Sequence, residues 1–212
     1  MFYNPTIEKH GLAHNPINSC VVPRPIGWIS TMSPDGVVNL APYSFFNLVN
    51  GDPPMVMFSA QRRNDGEKKD SQRNAEDTGE FVFNLATAAL TDQMNLTASI
   101  EEPRLDELAT VGLTAAPSQL VRPPRVAESP IHFECRLQQV VTLKGTHPGH
   151  PHDVLFGDVL GIHIADEVLT NGDIDMAKLR PLARLGYNDY AVIEEIFTLK
   201  RLNRQELAAR GF

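Results

Sequence analysis

Residues 23–47 read Pro23-Arg24-Pro25-Ile26-Gly27-Trp28-Ile29-Ser30-Thr31-Met32-Ser33-Pro34-Asp35-Gly36-Val37-Val38-Asn39-Leu40-Ala41-Pro42-Tyr43-Ser44-Phe45-Phe46-Asn47. In an extended chain Ile26, Trp28 and Ser30 point one way and Gly27, Ile29 and Thr31 the other. Ser33-Pro34-Asp35-Gly36 carries what a type I turn wants: Ser first, Pro second, Gly fourth. Val37 to Tyr43 then resumes an extended, apolar path. The stretch therefore predicts two strands around a tight turn. It also sets Ser30, Thr31, Asn39 and Ser44 on neighbouring strands, with Trp28, Phe45 and Phe46 beside them. Pro25 and Pro42 have no amide hydrogen, so the pair cannot be bonded along its whole length. Two readings fit: an opening that receives a flat, partly polar aromatic ligand, or a structural hairpin with its polar residues in water.

Outward from the hairpin, Asn50-Gly51-Asp52-Pro53-Pro54 reads as a turn, because two prolines preclude a helix there. Met55 to Ala60 is a short apolar run and predicts a buried strand. Gln61 to Lys69 is a charged loop. Asp70-Ser71 offers an N-cap and Gly79 a C-terminal stop for a short polar helix, Gln72 to Thr78. Glu80 to Ala86 predicts a strand. Thr87 to Ile100 has Leu90, Met94 and Ala98 at spacings of four and predicts a helix, with a shorter one from Leu105 to Val111. Pro117 to Pro130 holds four prolines and predicts an extended connection. Ile131 to Lys144 and Asp153 to Asp166 predict two long strands joined through Gly145 to His152. One helical turn is expected at Asp175 to Arg180 and a terminal helix at Asn203 to Ala209. The pattern holds about six strands, no repeated βα unit and no internal repeat, which points to an antiparallel barrel with short helices around it.

The bulk numbers narrow the function. A chain of 212 residues suits one domain, here expected over 1–212. At that size it buries roughly 70% of its unfolded surface and needs no disulfide or metal to fold. With 19 basic and 26 acidic residues the net charge is −7, unfavourable for general nucleic-acid binding. Cys20 and Cys135 form no metal-binding pattern and are expected as reduced, buried thiols. No signal-like segment and no apolar run of membrane-spanning length is visible, so the expected compartment is the cytoplasm, with no membrane or nucleic-acid partner.

Three further constellations bear on chemistry. Lys68-Lys69-Asp70-Ser71-x-x-Asn74 opens a helix, where free amides and a partial positive charge make a seat for phosphate; taken alone, the motif reads more simply as a capped surface helix with solvated lysines. In Arg180-Pro-Leu-Ala-Arg184-Leu-Gly-Tyr-Asn-Asp-Tyr190, an arginine ahead of a Gly-Tyr turn suits a phosphate or carboxylate clamp, or a surface ion pair. His147, His150 and His152 crowd one loop, but Pro148, Gly149 and Pro151 leave no regular spacing to align the rings, and no metal is expected. His163, alone among apolar neighbours, is read as a core or interface residue, or as a pocket wall. The phosphate-loop, dinucleotide, nucleophile-elbow and HExxH motifs are all absent. No nucleophile and base pair up, so no catalytic side chain is expected and any chemistry belongs to a cofactor.

With these residues in view, the sequence resembles the flavin reductase-like family of FMN-binding split-barrel proteins. The resemblance lies in Arg24-Pro-Ile-Gly-Trp-Ile-Ser-Thr, Asn39-Leu-Ala-Pro-Tyr-Ser-Phe-Phe-Asn, Pro53-Pro-Met-Val-Met-Phe-Ser, Lys69-Asp-Ser-x-x-Asn, Thr78-Gly-Glu-Phe-Val-Phe-Asn-Leu-Ala-Thr and Arg184-Leu-Gly-Tyr-x-Asp-Tyr. It implies a mainly β fold, a six-stranded antiparallel split β-barrel with Greek-key connections, as a homodimer. It implies FMN as cofactor, NAD(P)H as reductant and flavin reduction as the activity. Residue by residue, it implies Trp28, Ser30 and Thr31 along the ring or ribityl side, and Asn39, Ala41, Pro42, Ser44, Phe45, Phe46 and Asn47 around ring and ribityl. Ser59, Lys69, Asp70, Ser71 and Asn74 would approach ribityl and phosphate, and Arg184 a phosphate or nicotinamide. Ser71 stands where the family more often has Thr, which keeps the hydroxyl. Two other readings stay open: an FMN-carrying electron-transfer protein served by a redox partner protein, and a sensor using the barrel without redox chemistry.

Overall fold

The computed structural model describes residues 1–99, 105–145 and 151–211 of the chain. Its centre is one antiparallel sheet of seven strands: β1 (Gly27–Met32), β2 (Val38–Tyr43), β3 (Phe46–Gly51), β4 (Pro54–Gln61), β5 (Glu80–Leu85), β6 (Ile131–Leu143) and β7 (His152–Ile164), in the order β2-β1-β5-β6-β7-β4-β3. The sheet thus holds one strand more than the six expected, and its edge strands β2 and β3 are not paired with each other among the described residues. The additional strand is β3. Only Phe46 in it is buried, so its sequence carries no apolar alternation to read.

The hairpin forms as the turn residues dictate. The Gly36 amide donates to Ser33 O at 3.0 Å, the Val37 amide donates to Ser33 Oγ at 2.9 Å, and Gly36 sits at φ +95°, where a side chain would be strained. The register then runs Gly27 opposite Tyr43 to Met32 opposite Val38. Alternation splits β1 between two cores. Ile29 joins Tyr43, Phe46, Phe58, Phe81 and Phe83 on one side of the sheet, where Phe46 stacks on Phe83 at 4.6 Å. Ile26 and Trp28 join Leu40, Leu90, Met94 and Leu108 on the other side. Gly27 is required by the first core, because a Cβ there would lie 2.4 Å from the Phe46 ring.

The helices gather around the hairpin. α1 (Asp70–Thr78) packs on β1, and α2 (Thr91–Ser99) and α3 (Glu107–Thr110) pack on β2. α1 starts two residues earlier than expected from Asp70-Ser71 as its cap: Lys69 is the N-cap, with no side-chain cap bond, and Gly79 closes the other end. The proline-rich connection after α3 includes a short strand pair, Ala115–Ala116 with Arg125–Val126. A small sheet of Arg24–Pro25, Leu182–Arg184 and Tyr190–Val192 ties the N-terminal approach to the C-terminal part of the chain. The last helix, Arg204–Ala209, has the capping box of Asn203 and Glu206. Among the described residues no helix is long and apolar enough to cross a membrane. Both cysteines are free; Cys135 is buried as expected, but Cys20 is exposed, because its short helix lies on the surface.

Candidate functional site

Beside the hairpin lies a cleft of about 720 Å³. β2 supplies Asn39, Ala41, Pro42 and Tyr43, and the chain leaving it supplies Ser44 and Phe45. The end of β4 gives Ser59 and Gln61, followed by Arg62 to Asp65. The start of α1 gives Lys69, Asp70 and Ser71. Thr97 and Ala98 of α2, Glu107 of α3, His152 of β7 and Asn18 complete the wall. Two stretches some thirty residues apart in sequence, the β2 exit and the α1 start, thus face one space because the sheet curls.

The floor is polar and enclosed. With its oxygen turned toward Ser71 Oγ (2.8 Å) and Leu40 N (3.2 Å), the Asn39 amide accepts from both and its nitrogen donates to Glu107 Oε1 at 3.2 Å. Glu107 Oε2 accepts from Leu40 N at 3.0 Å. Burial pushes the Glu107 carboxyl up to about 7; the Leu40 amide opposes the shift, and Asp70 and Asp106 add to it. Burial also pushes the Tyr43 hydroxyl up to about 12, opposed by the neighbouring Ser71 hydroxyl. Tyr43 Oη nevertheless has no partner within hydrogen-bonding geometry.

The rim is charged. Asp70 is held by Arg63 and Arg73, each at 3.1 Å. Arg62 Nε donates to Asp153 at 2.8 Å. Burial works against the Asp153 carboxylate, but hydrogen bonds from Arg62, Thr142 and Gln72 hold it below its ordinary range. His152 Nδ1 lies 3.3 Å from Ser59 Oγ, and its ring is 5.9 Å from that of Phe45. Arg24 braces the far wall. It donates to Asn18 O, to Val21 O at 2.8 Å and to Leu185 O at 2.7 Å, and its guanidinium lies 5.9 Å from the Phe45 ring centre. A lining of Arg62, Arg63, Lys69 and a helix start together with Ala41, Pro42 and Phe45 suits a ligand that has both an anionic group and a flat, apolar part.

Asn39, Ala41, Pro42, Ser44, Phe45, Ser59, Lys69, Asp70 and Ser71, all expected at the site, line this cleft. The remaining expected residues do not. Trp28 is fully buried on the opposite side of β1, where its Nε1 donates to Thr97 Oγ1 at 3.0 Å. Ser30 Oγ donates to Pro124 O at 2.6 Å and accepts from Asn84, and Thr31 Oγ1 accepts from Asn74 at 3.2 Å. Both hydroxyls are thereby satisfied within the protein. Phe46 belongs to the core, and Asn47 is exposed on the edge strand, bonded to the Leu48 amide at 2.9 Å. Arg184 lies 4.4 Å from the Tyr190 ring centre and donates to Tyr187 O, away from the cleft.

His147 and His150 fall outside the described residues. His163 Nε2 lies 2.6 Å from the buried Glu134, also away from the cleft. Among the described residues no cluster of His, Cys, Asp or Glu is arranged to hold a metal ion. Sequence reasoning passed over Tyr43, Arg62, Arg63 and Glu107. Arg62 and Arg63 were signalled by their place directly after a buried strand. Tyr43 was signalled by lying inside the β2 motif. Nothing in the sequence pointed to Glu107.

Residues 19–188 match the family model described as the flavin reductase like domain. An uncharacterized protein from Aquifex aeolicus (strain VF5) is 41% identical over 171 residues, which is 80% of this chain and 84% of the relative. Nitrilotriacetate monooxygenase component B from Bacillus cereus has a similar structure, with a TM-score of 0.86 and 33% identity over 94% of this chain and 98% of that one. Flavoredoxin of Desulfovibrio vulgaris (Miyazaki F) shares the fold at a TM-score of 0.74 and 18% identity, over 93% of this chain and all (100%) of that one.

Proposed function

The chain belongs to the flavin reductase like family, and from that membership we propose that it is an FMN-binding oxidoreductase that takes electrons from NAD(P)H. The observation that carries the reading is the cleft itself. Three of the motifs, distant in sequence, converge there: Asn39 to Phe45, Ser59, and Lys69 to Ser71 at the start of α1. The unpartnered Tyr43 hydroxyl is a donor that the protein leaves unused. These features fit a mononucleotide, and they also support the split-barrel reading of the curled sheet.

In this reading Lys69 and Ser71 hold the phosphate, with the first amides of α1 behind them. Asn39 and Ser59 face the ribityl chain. Ala41, Pro42 and Phe45 cover the ring, and Arg24 keeps Phe45 and the Asn18 segment in place. When bound, FMN supplies the hydride-accepting chemistry. The protein's part is to orient the two rings and keep water from them, and none of its side chains need act as acid or base.

The test is the visible spectrum of freshly purified protein, followed by titration with FMN and assay of NADH and NADPH oxidation. A flavin spectrum or micromolar FMN binding, with oxidation of a nicotinamide, is expected. Protein that is colourless, binds no FMN and oxidises neither nicotinamide overturns the reading.

One observation favours an FMN carrier instead. Arg184, the residue the resemblance offers to a nicotinamide, is turned to Tyr190 and does not line the cleft. Slow reduction by both nicotinamides and fast reduction by a protein donor in stopped flow would establish that alternative. We further propose a homodimer, because Leu48 and Val49 stand exposed on the edge strand β3 next to Phe45. Light scattering on the eluted protein checks it, and a monomer mass at working concentration overturns it.

A further inference from the structure

We propose that Glu107 makes the cleft a proton-linked anion site: when the phosphate of a mononucleotide seats at Ser71, the Glu107 carboxylate takes up a proton from solvent. The inference rests on the mononucleotide reading above and assigns a role to a residue that no motif contains.

Glu107 is only 5% exposed, yet it belongs to the wall of the cleft. One amide joins it to the seat: Asn39 accepts from Ser71 Oγ at 2.8 Å and donates to Glu107 Oε1 at 3.2 Å. The carboxyl is therefore a near neighbour of the place where an anion would sit, with little water between to screen the two.

The charged and titratable groups around it are mixed. Asp106 lies beside it in sequence, α1 brings Asp70, and β2 brings the Tyr43 phenol. Arg63 and Lys69 are the cations of the neighbouring cleft wall, and Arg63 is engaged with Asp70 at 3.1 Å. α2 contributes Thr97 and Ala98 to the wall, and neither titrates. Burial first, with Asp70 and Asp106 adding, already pushes the carboxyl up to about 7. A phosphate adds a like charge on the same side, and a like charge favours the protonated form. Binding of a phosphorylated ligand must then draw a proton, and its affinity must fall as pH rises above neutrality. A ligand with the same ring and no phosphate lacks that coupling.

The experiment is calorimetric titration with FMN and with riboflavin from about pH 6.5 to about pH 8.5, in buffers of different ionisation enthalpy. The wild-type protein is expected to take up protons with FMN but not with riboflavin. Its FMN affinity is expected to fall roughly five- to tenfold across the upper part of that range. Glu107→Gln, whose amide oxygen still accepts from Leu40 N, is expected to bind FMN without uptake and with a flatter profile. The ionisation of FMN's own phosphate contributes equally to both proteins. An infrared difference spectrum of the wild-type protein, with and without FMN, gives a second readout that does not depend on the variant folding. It should gain the band of a protonated carboxyl. Unchanged uptake in Glu107→Gln, the same pH profile for both ligands, or no carboxyl band overturns this inference alone. Binding of neither flavin overturns the mononucleotide reading and this inference with it.

Discussion

Lys69 and Trp28 both come from motifs of the same resemblance, yet only Lys69 lines the cleft. Lys69 lines the cleft at the start of α1, where the phosphate of the proposed ligand would meet its charge. Lys69→Ala is expected to weaken FMN roughly tenfold, as loss of a charge-assisted hydrogen bond does, and to leave riboflavin nearly unchanged. Equal losses for the two ligands, measured by fluorescence titration, would remove Lys69 from the phosphate. Trp28 has no exposed surface and bonds Thr97 from the far side of β1. Trp28→Ala removes a large apolar side chain and leaves a cavity, and about 3–5 kcal/mol of stability should go with it. Urea unfolding checks this; a loss under about 1 kcal/mol would mean the indole is not packed as described. The sequence distinguished these two residues poorly, because the motif order placed both near the ligand. What separates them is burial: Lys69 lines the cleft, whereas Trp28 sits in the core with Leu40, Leu90 and Met94, and motif order does not show that difference.

The hairpin of β1 and β2 is the element that the rest of the site hangs from. Its turn, its register and its two-faced burial follow from residues 23–47, and the structure adds a constraint that the sequence does not display. Gly27 faces the Phe46 ring, and Phe46 opens the edge strand β3. Gly27→Ala therefore pushes on the segment that carries Ser44 and Phe45 into the cleft. The expected effect is about 1–3 kcal/mol of destabilisation, the range for overpacking in a core. A lower thermal midpoint together with weaker flavin binding is the result to look for. Unchanged stability would show that Phe46 gives way freely. The element missed from sequence, β3, was missed for a related reason. It buries only Phe46 and leaves its other residues exposed, so neither apolar alternation nor a continuous apolar run marks it.

Across the whole molecule, two buried titratable groups pull stability in opposite directions with pH. His132 is 4% exposed, and burial pushes its imidazole down to about 4, despite the Val126 carbonyl at 2.8 Å. Between that value and the ordinary 6.5 the unfolded chain binds the extra proton, so this contribution is full above 6.5 and is lost as pH falls toward 4. Glu107 has the reverse sign. Its folded value of about 7 lies above the ordinary 4.5, so its contribution is full below 4.5 and is lost as pH rises to 7. The two windows overlap, and the wild-type profile between about pH 4.5 and 6.5 should be nearly flat. Glu107→Gln should uncover the histidine slope, with stability rising with pH; His132→Asn should uncover the opposite one. Denaturant midpoints at several pH values decide it, and parallel profiles for all three proteins would contradict the assignment. At lower pH Asp153 and Glu134, both held below their ordinary range by hydrogen bonds, add a loss of stability as they protonate.

By itself the sequence determined the strands that alternate or run apolar, the Ser33–Gly36 turn, a short polar helix ending at Gly79, and membership of the family. Each is a local matter of side-chain period, turn residues and motif order. Only the tertiary structure decided that no residue of β1 lines the cleft, that Arg184 turns to Tyr190, and that Glu107 reaches the floor beside Asn39 and Ser71. Those facts depend on how the sheet curls and where α3 docks on it. Such long-range packing leaves no period or spacing in the chain, because contacting residues need only complementary shape and charge, not proximity in sequence.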